Sequence, residues 1–245
     1  MDQVINYLEI ADFNFELIFC FYVKALCYSV IAERIMEEFA KSLHPDITAL
    51  KRAQESLIEA SKICEFLSNQ ALLLVPQQLK TSNQIIPELN SNIMLALSKL
   101  FYAEAQLVAF ERGCKSPDKK LSYSARASLL KDVVILLRTS WEMFDKGFYE
   151  LKSNAQSSMK VYYVNFIKGL TLFCDAWAWF NFGLKFQDEQ PNGEDNEYSR
   201  KMRLGCEKIS IEIFKEFEEK YYKQLERHRS FFETNLKKIY EQLVS

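Results

Sequence analysis

Apolar positions recur every three or four residues through nearly the whole chain and rarely alternate, a pattern that predicts helices rather than strands. The five prolines, Pro45, Pro76, Pro87, Pro117 and Pro191, each fall in a polar or turn-like cluster. A residue without a backbone donor ends a helix there. Six long helices are predicted between them, over about 3–41, 47–74, 88–113, 119–152, 156–187 and 196–243. Asp46 and Ser116 are placed to cap helix starts, and Gly113 to close a helix end. The expected fold is all-α: one domain over 1–245, an elongated stack of long antiparallel helices. A TPR-like solenoid or a boomerang-shaped scaffold fits, although no clean repeat of about 34 residues is present.

Two of these helices carry distinctive patterns. In the fifth, Tyr162, Tyr163, Val164, Phe166, Ile167, Leu170, Phe173, Trp177, Trp179, Phe180 and Phe182 cover most of the circumference. A helix apolar all round belongs at the centre of the stack. In the last, Phe214, Phe217, Tyr221, Leu225, His228, Phe232, Leu236, Ile239 and Leu243 draw one stripe. At 1.5 Å per residue that helix would reach roughly 65 Å.

Composition supports this picture and narrows the function. Of 245 residues 49% are hydrophobic and 26% charged, with a net charge of -2, as in compact soluble proteins. Six Gly and five Pro leave little material for turn-rich sandwiches or phosphate-cradling loops. A pI near 5.9 argues against a nucleic-acid partner, whose binding rests on surplus cations. Cys20, Cys27, Cys64, Cys114, Cys174 and Cys206 form no C-x-x-C pair and read as buried thiols of a reducing compartment. No Lys or Arg precedes Lys24, so a secretory or transit signal is not expected. The most apolar run, Leu17 to Val23, is bounded by Glu16 and Lys24, whereas a bilayer span takes about 20 residues. The expectation is a cytoplasmic chain without a membrane span.

Candidate chemistry is sparse. The two histidines, His44 and His228, have no Glu three residues before them, as di-iron helices require. The loop from Asp188 to Ser199 echoes a calcium loop, with Asn192 fifth and Gly193 sixth, but has Ser199 where the bidentate Glu belongs. No metal, cofactor or catalytic residue is therefore expected. Glu104 falls between Leu97, Phe101 and Val108 on a face that should be buried, where an unpaired carboxylate costs several kcal/mol. Lys168, inside the aromatic helix, is its expected partner in a structural ion pair. Charge is uneven: residues 1–40 hold two cations against seven acids, and residues 112–131 hold six cations against Asp118 alone. The second segment is a basic corner able to steer an acidic helix or an acidic membrane surface.

At Ala103-Glu104-Ala105-Gln106 the chain resembles the BRO domain family of ESCRT-associated helical scaffolds, whose hallmark is an A-x-A-Q string in a helix followed by a basic helix. Tyr163 to Phe182, with Lys168 followed by aromatic and small residues, resembles a later helix of that family. Tyr198 to Leu204, with Arg203 and Leu204, is similar to its aromatic-Gly-x-x-Ile-x-Arg-Leu string. The likeness covers roughly residues 49–240. The chain is shorter than a full BRO domain, and the family's β-rich N-terminal part has no counterpart before residue 49. The resemblance implies a non-catalytic scaffold that binds the C-terminal amphipathic helix of an ESCRT-III subunit in endosomal sorting or membrane remodelling. It places the contact near Ala109 or Phe110 and at Tyr123 and Ala127, two of these positions being small.

The reading for this chain is a partner helix that buries its apolar face on Phe110, Tyr123, Ala127 and Leu130, while Arg112, Lys119, Lys120 and Arg126 steer its acidic flank. Recruitment to endosomal membranes would follow. A rival reading is a membrane-curvature or dimeric helical adaptor unrelated to ESCRT, paired along the last helix. Residues 198–245 carry eleven Lys or Arg against eight Asp or Glu, but the stripe follows a period of 3.6, which suits packing within one chain. An enzyme with a helical pocket is the third reading, disfavoured because titratable groups do not cluster.

Overall fold

The computed structural model describes residues 13–42, 46–74, 90–116, 121–151, 156–188 and 197–221. Among these there are six α-helices and no strand: α1 (Phe13–Lys41), α2 (Ile47–Asn69), α3 (Ser91–Lys115), α4 (Tyr123–Leu151), α5 (Gln156–Asp188) and α6 (Glu197–Lys220). A 3-10 turn, Ala71–Leu74, follows α2. His44, His228, most of the acidic loop and the stripe beyond Tyr221 lie outside the described residues.

Caps explain where several helices begin. The Asp46 carboxylate accepts from the Thr48 amide at 2.9 Å and from the Thr48 hydroxyl, as its position before α2 predicts. Those bonds hold its carboxyl below the usual range. Asn90 caps α3 by accepting from Asn92 N (2.9 Å) and Ile93 N (3.2 Å). Two expectations fail at the next junction. Gly113 is a helical residue, since α3 runs on to Lys115; a Cβ there would meet Leu121 Cδ1 at 2.5 Å, so it is small for close packing. Ser116 ends α3, and Ser122 starts α4 by accepting from Ala125 N at 3.2 Å.

Each helix packs on its neighbours in sequence. Contacts run antiparallel: Ser61 meets Ser98 (3.1 Å) while Ser68 donates to the Ser91 carbonyl (2.9 Å) further along α2 and further back on α3. Ser140 of α4 donates to the Ala96 carbonyl of α3 (2.7 Å), and Ser210 of α6 to the Ala176 carbonyl of α5 (2.9 Å). Alternate helices are parallel. Phe110 of α3 meets Trp177 of α5 edge-on at 4.6 Å, and Lys115 of α3 lies 4.3 Å from the Phe39 ring of α1. The result is a stack in which α3 is flanked by α2 and α4 and touched by α1 and α5.

That position makes α3, not α5, the helix buried on the most sides. Ala103 and Ala105, two residues apart and so on opposite faces, are both buried. Phe173 of α5 is fully buried, 5.5 Å from Trp177, 5.9 Å from Phe214 and 5.6 Å from Phe217. Trp179, Phe182 and Phe186, however, form an edge-to-face ladder along a partly open side of α5. Only a helix with neighbours on every side can bury an all-apolar circumference, and these three rings stay partly exposed, with Lys131 of α4 over Trp179.

The α3–α4 junction leaves no room at Gly147. A Cβ would stand 2.7 Å from Ile93 Cγ1, 3.0 Å from Asn90 Oδ1 and 3.2 Å from the Ile93 backbone nitrogen. Glu150 receives hydrogen bonds from Asn90 and Asn92 at the same place. Gly147→Ala is expected to destabilise the protein more than Asn90→Ala, which removes the cap, worth about 1 kcal/mol, and the exposed hydrogen bond to Glu150; chemical denaturation of both variants checks the order.

Burial also sets an alkaline limit. It pushes the Cys64 thiol up to about 12 from an ordinary 9.0, and raises Cys174 further, with Asp175 adding to the effect. Above pH 9 the unfolded chain releases these protons while the fold retains them. Stability is therefore expected to be at its plateau below pH 9 and to fall between about pH 9 and 12, measured as denaturation midpoints.

Candidate functional site

The eight residues expected to form the partner surface divide three ways. Phe110 (1% exposed), Ala127 (6%) and Leu130 (0%) are core. Phe110 is covered by Trp177, so it has no face to offer a partner. Tyr123, Arg112 and Arg126 are partly exposed. Lys119 and Lys120 lie outside the described residues. An apolar residue near a helix end has the same pattern whether it lines a groove or meets a further helix, and here α5 supplies the cover.

Three of the described cations of the basic corner, Lys115, Arg126 and Lys131, are engaged within the chain. Arg126 donates from Nε to the Leu121 carbonyl (2.9 Å) and lies 4.9 Å from the Tyr123 ring. Lys115 pairs with Glu111 at 2.8 Å. The segment's excess of cations is thus partly neutralised where it folds.

The expected Glu104–Lys168 ion pair does not form. Lys168 places its ammonium 4.8 Å from the centre of the Trp141 ring on α4. Glu104 instead faces a cavity of about 20 Å³ lined by Leu26, Leu97, Leu100, Phe101, Tyr163 and Phe166. The charges that tie α4 to α5 are others: Asp175, largely shielded, bonds Lys131 and lies 3.7 Å from Arg138. Lys131 also sits 4.8 Å from the Trp179 ring.

Open apolar surface is concentrated at the other end of the stack. A groove of about 260 Å³ runs between the start of α1 and the end of α2, lined by Leu17, Ile18, Phe21, Phe66, Ala71 and Leu74 with Asn14 and Gln70. Phe21 and Phe66 meet edge-on at 5.7 Å across its floor. Leu74 (67% exposed) stands at its rim. The period of α1 places these side chains on one end, but pairing with α2 and the turn after it is a tertiary fact that the apolar run Leu17–Val23 did not reveal.

Helix α1 continues past Lys24, and it and α3 are both long and apolar enough to cross a bilayer by length and composition. They differ in cover: 72% of the α3 window is buried in the stack and only 28% of the α1 window. Among the described residues no three His, Cys, Asp or Glu side chains gather as metal ligands would.

These features define an all-α helical stack with an apolar groove at one end. The chain matches no family model, no curated protein and no solved structure.

The core assignment gives a direct expectation. Phe110→Ala should cost about 3–5 kcal/mol and Leu130→Ala about 2–5 kcal/mol of stability, as large-to-small changes in a packed interior do. Urea titrations of the two variants measure this, and variants as stable as wild type would return these residues to the surface.

Proposed function

We propose that this protein is a non-catalytic interaction scaffold of BRO-domain type, acting in the cytoplasm and at endosomal membranes. It binds the amphipathic helix of an ESCRT-III-like partner in endosomal sorting or membrane remodelling. The observation that carries the reading is the groove between α1 and α2, whose floor is apolar and open, with Phe66 partly exposed there and Leu74 largely so at its rim. Its volume, about 260 Å³, is below the roughly 300–1,000 Å³ of sites that enclose a small molecule. It suits two or three side chains projecting from one face of a helix. The docking surface therefore moves from Phe110 and Leu130 to this groove, at the opposite end of α1 from the basic corner, and the acidic flank of the partner is left to solvent.

The rival adaptor reading changes as well. Phe214 and Phe217 pack against Phe173, so the described part of the last helix turns its stripe inward. The thinly covered α1 is what favours a dimeric adaptor.

Anisotropy with a labelled peptide carrying the C-terminal amphipathic helix of an ESCRT-III subunit tests the function. Binding by wild type and a loss of about tenfold or more in Leu74→Asp is expected, since a buried leucine side chain contributes roughly 1.5–3 kcal/mol. Leu74 is exposed, so the fold should be unchanged in the variant. Absence of binding by wild type would overturn the partner, and undiminished binding by Leu74→Asp would overturn the groove.

A further inference from the structure

Helix α1 has two apolar faces, and among the described residues it packs chiefly on α2. Ile18, Tyr22, Ala25, Ser29, Ala32 and Phe39 are buried towards the stack. The opposite face exposes Leu17 (44%), Phe19 (49%), Val23 (41%), Val30 (43%) and Ile31 (47%), together with Cys20 and Cys27. Contiguous apolar surface of this kind marks an interaction site. The charges on that face identify what covers it. Glu16 stands near its start, Lys24 at its middle and Arg34 near its end, all exposed.

We propose that this face pairs with the same face of a second copy of the chain, the two α1 helices running antiparallel about a two-fold axis near Val23 and Lys24. In that register Leu17 lies beside Val30 of the second copy and Cys20 beside its Cys27. Arg34 lies beside Phe13 of the second copy and one helical turn, about 4.5 Å along the axis, from its Glu16. Each end therefore joins an acid to a base, and the two-fold axis makes the match twice. A parallel pair would set Glu16 on Glu16 and Arg34 on Arg34, whereas Lys24 lies within one residue of its counterpart in either arrangement and does not distinguish them. A lipid surface is a poorer match, because Glu16 and Glu38 also stand exposed along the helix and would enter the acidic headgroup layer.

The pairing shares only Leu17 with the groove, and Phe66 and Leu74 take no part, so Leu74→Asp and Val30→Glu test the two separately. The native cysteines report its register. Helix axes 8–10 Å apart allow a disulfide between facing positions. The full chain should run in light scattering at twice the 28.8 kDa of one copy, and mild oxidation should trap a covalent dimer. Cys20→Ser or Cys27→Ser alone should lose the trapped species, and mixing the two variants should restore it, because each supplies the cysteine that the other lacks. Val30→Glu, an exposed change, should give a monomer of unchanged helicity by circular dichroism. A wild-type monomer overturns the proposal, and if that monomer sediments with phosphatidylcholine vesicles the occupant is lipid. Trapping that persists in either single cysteine variant overturns the antiparallel register.

Discussion

The stack depends on how closely neighbouring helix backbones approach. Ser140 reaches the Ala96 carbonyl at 2.7 Å and Ser210 the Ala176 carbonyl at 2.9 Å, contacts that a short side chain makes only when the helix axes lie near the lower end of the usual 8–10 Å. Alanines buried on several helices, among them Ala53, Ala60, Ala96 and Ala103, and the glycines at 113 and 147 hold the same spacing. Small residues do not bury much area themselves. They let the large ones on either side interlock, so Phe110 can reach past its immediate neighbour to Trp177 on the next helix but one. The seam of Phe110, Trp177, Phe173, Phe214 and Phe217 thus joins three helices and turns pairwise packing into a continuous core.

Helix number and type were legible because two signals coincide: the three-to-four residue period and prolines lying between periodic runs. Asp46 was legible for a local reason, an acid immediately before a run whose second residue can donate to it. The junction near Pro117 was not. Ser-Pro reads as the start of a helix and Gly as the end of one, yet Gly113 is inside α3 because Leu121 needs the space, a requirement set by a residue eight positions away. The A-x-A string carried more than its family likeness: two alanines on opposite faces signal a helix squeezed from both sides, and that signal points to α3 rather than α5 as the middle of the stack.

Site residues were less legible because rotation about a helix axis is set by neighbours. Glu104 and Lys168 are both only partly buried and do not meet: Glu104 lines a cavity between α1, α3 and α5, and Lys168 lies over Trp141 of α4. Asp175 and Lys131, which do pair, have no mutual spacing that a sequence could display. The same limit applies to Phe110 and Leu130. Their apolar character was clear, and whether it faced a partner or another part of this chain depended on where α5 returned.

The distribution of cover along the stack constrains function. A layered helical protein buries both faces of its inner members and one face of each terminal member, so the solvent side of an end helix is normally polar. Helix α6 follows that rule more closely: Lys208, Glu212, Lys215 and Glu219 face solvent while Cys206, Ser210, Phe214 and Phe217 are buried, and its exposed apolar residues are Tyr198, Leu204 and Ile209. Helix α1 breaks it, with Phe19, Val23, Val30 and Ile31 where charges would be cheaper to hydrate. Folding of this chain gains nothing from those residues in solvent. Their row along α1 is longer than the exposed apolar set of α6, which favours the α1 end of the stack as the interaction surface, where the groove beside Phe66 also opens.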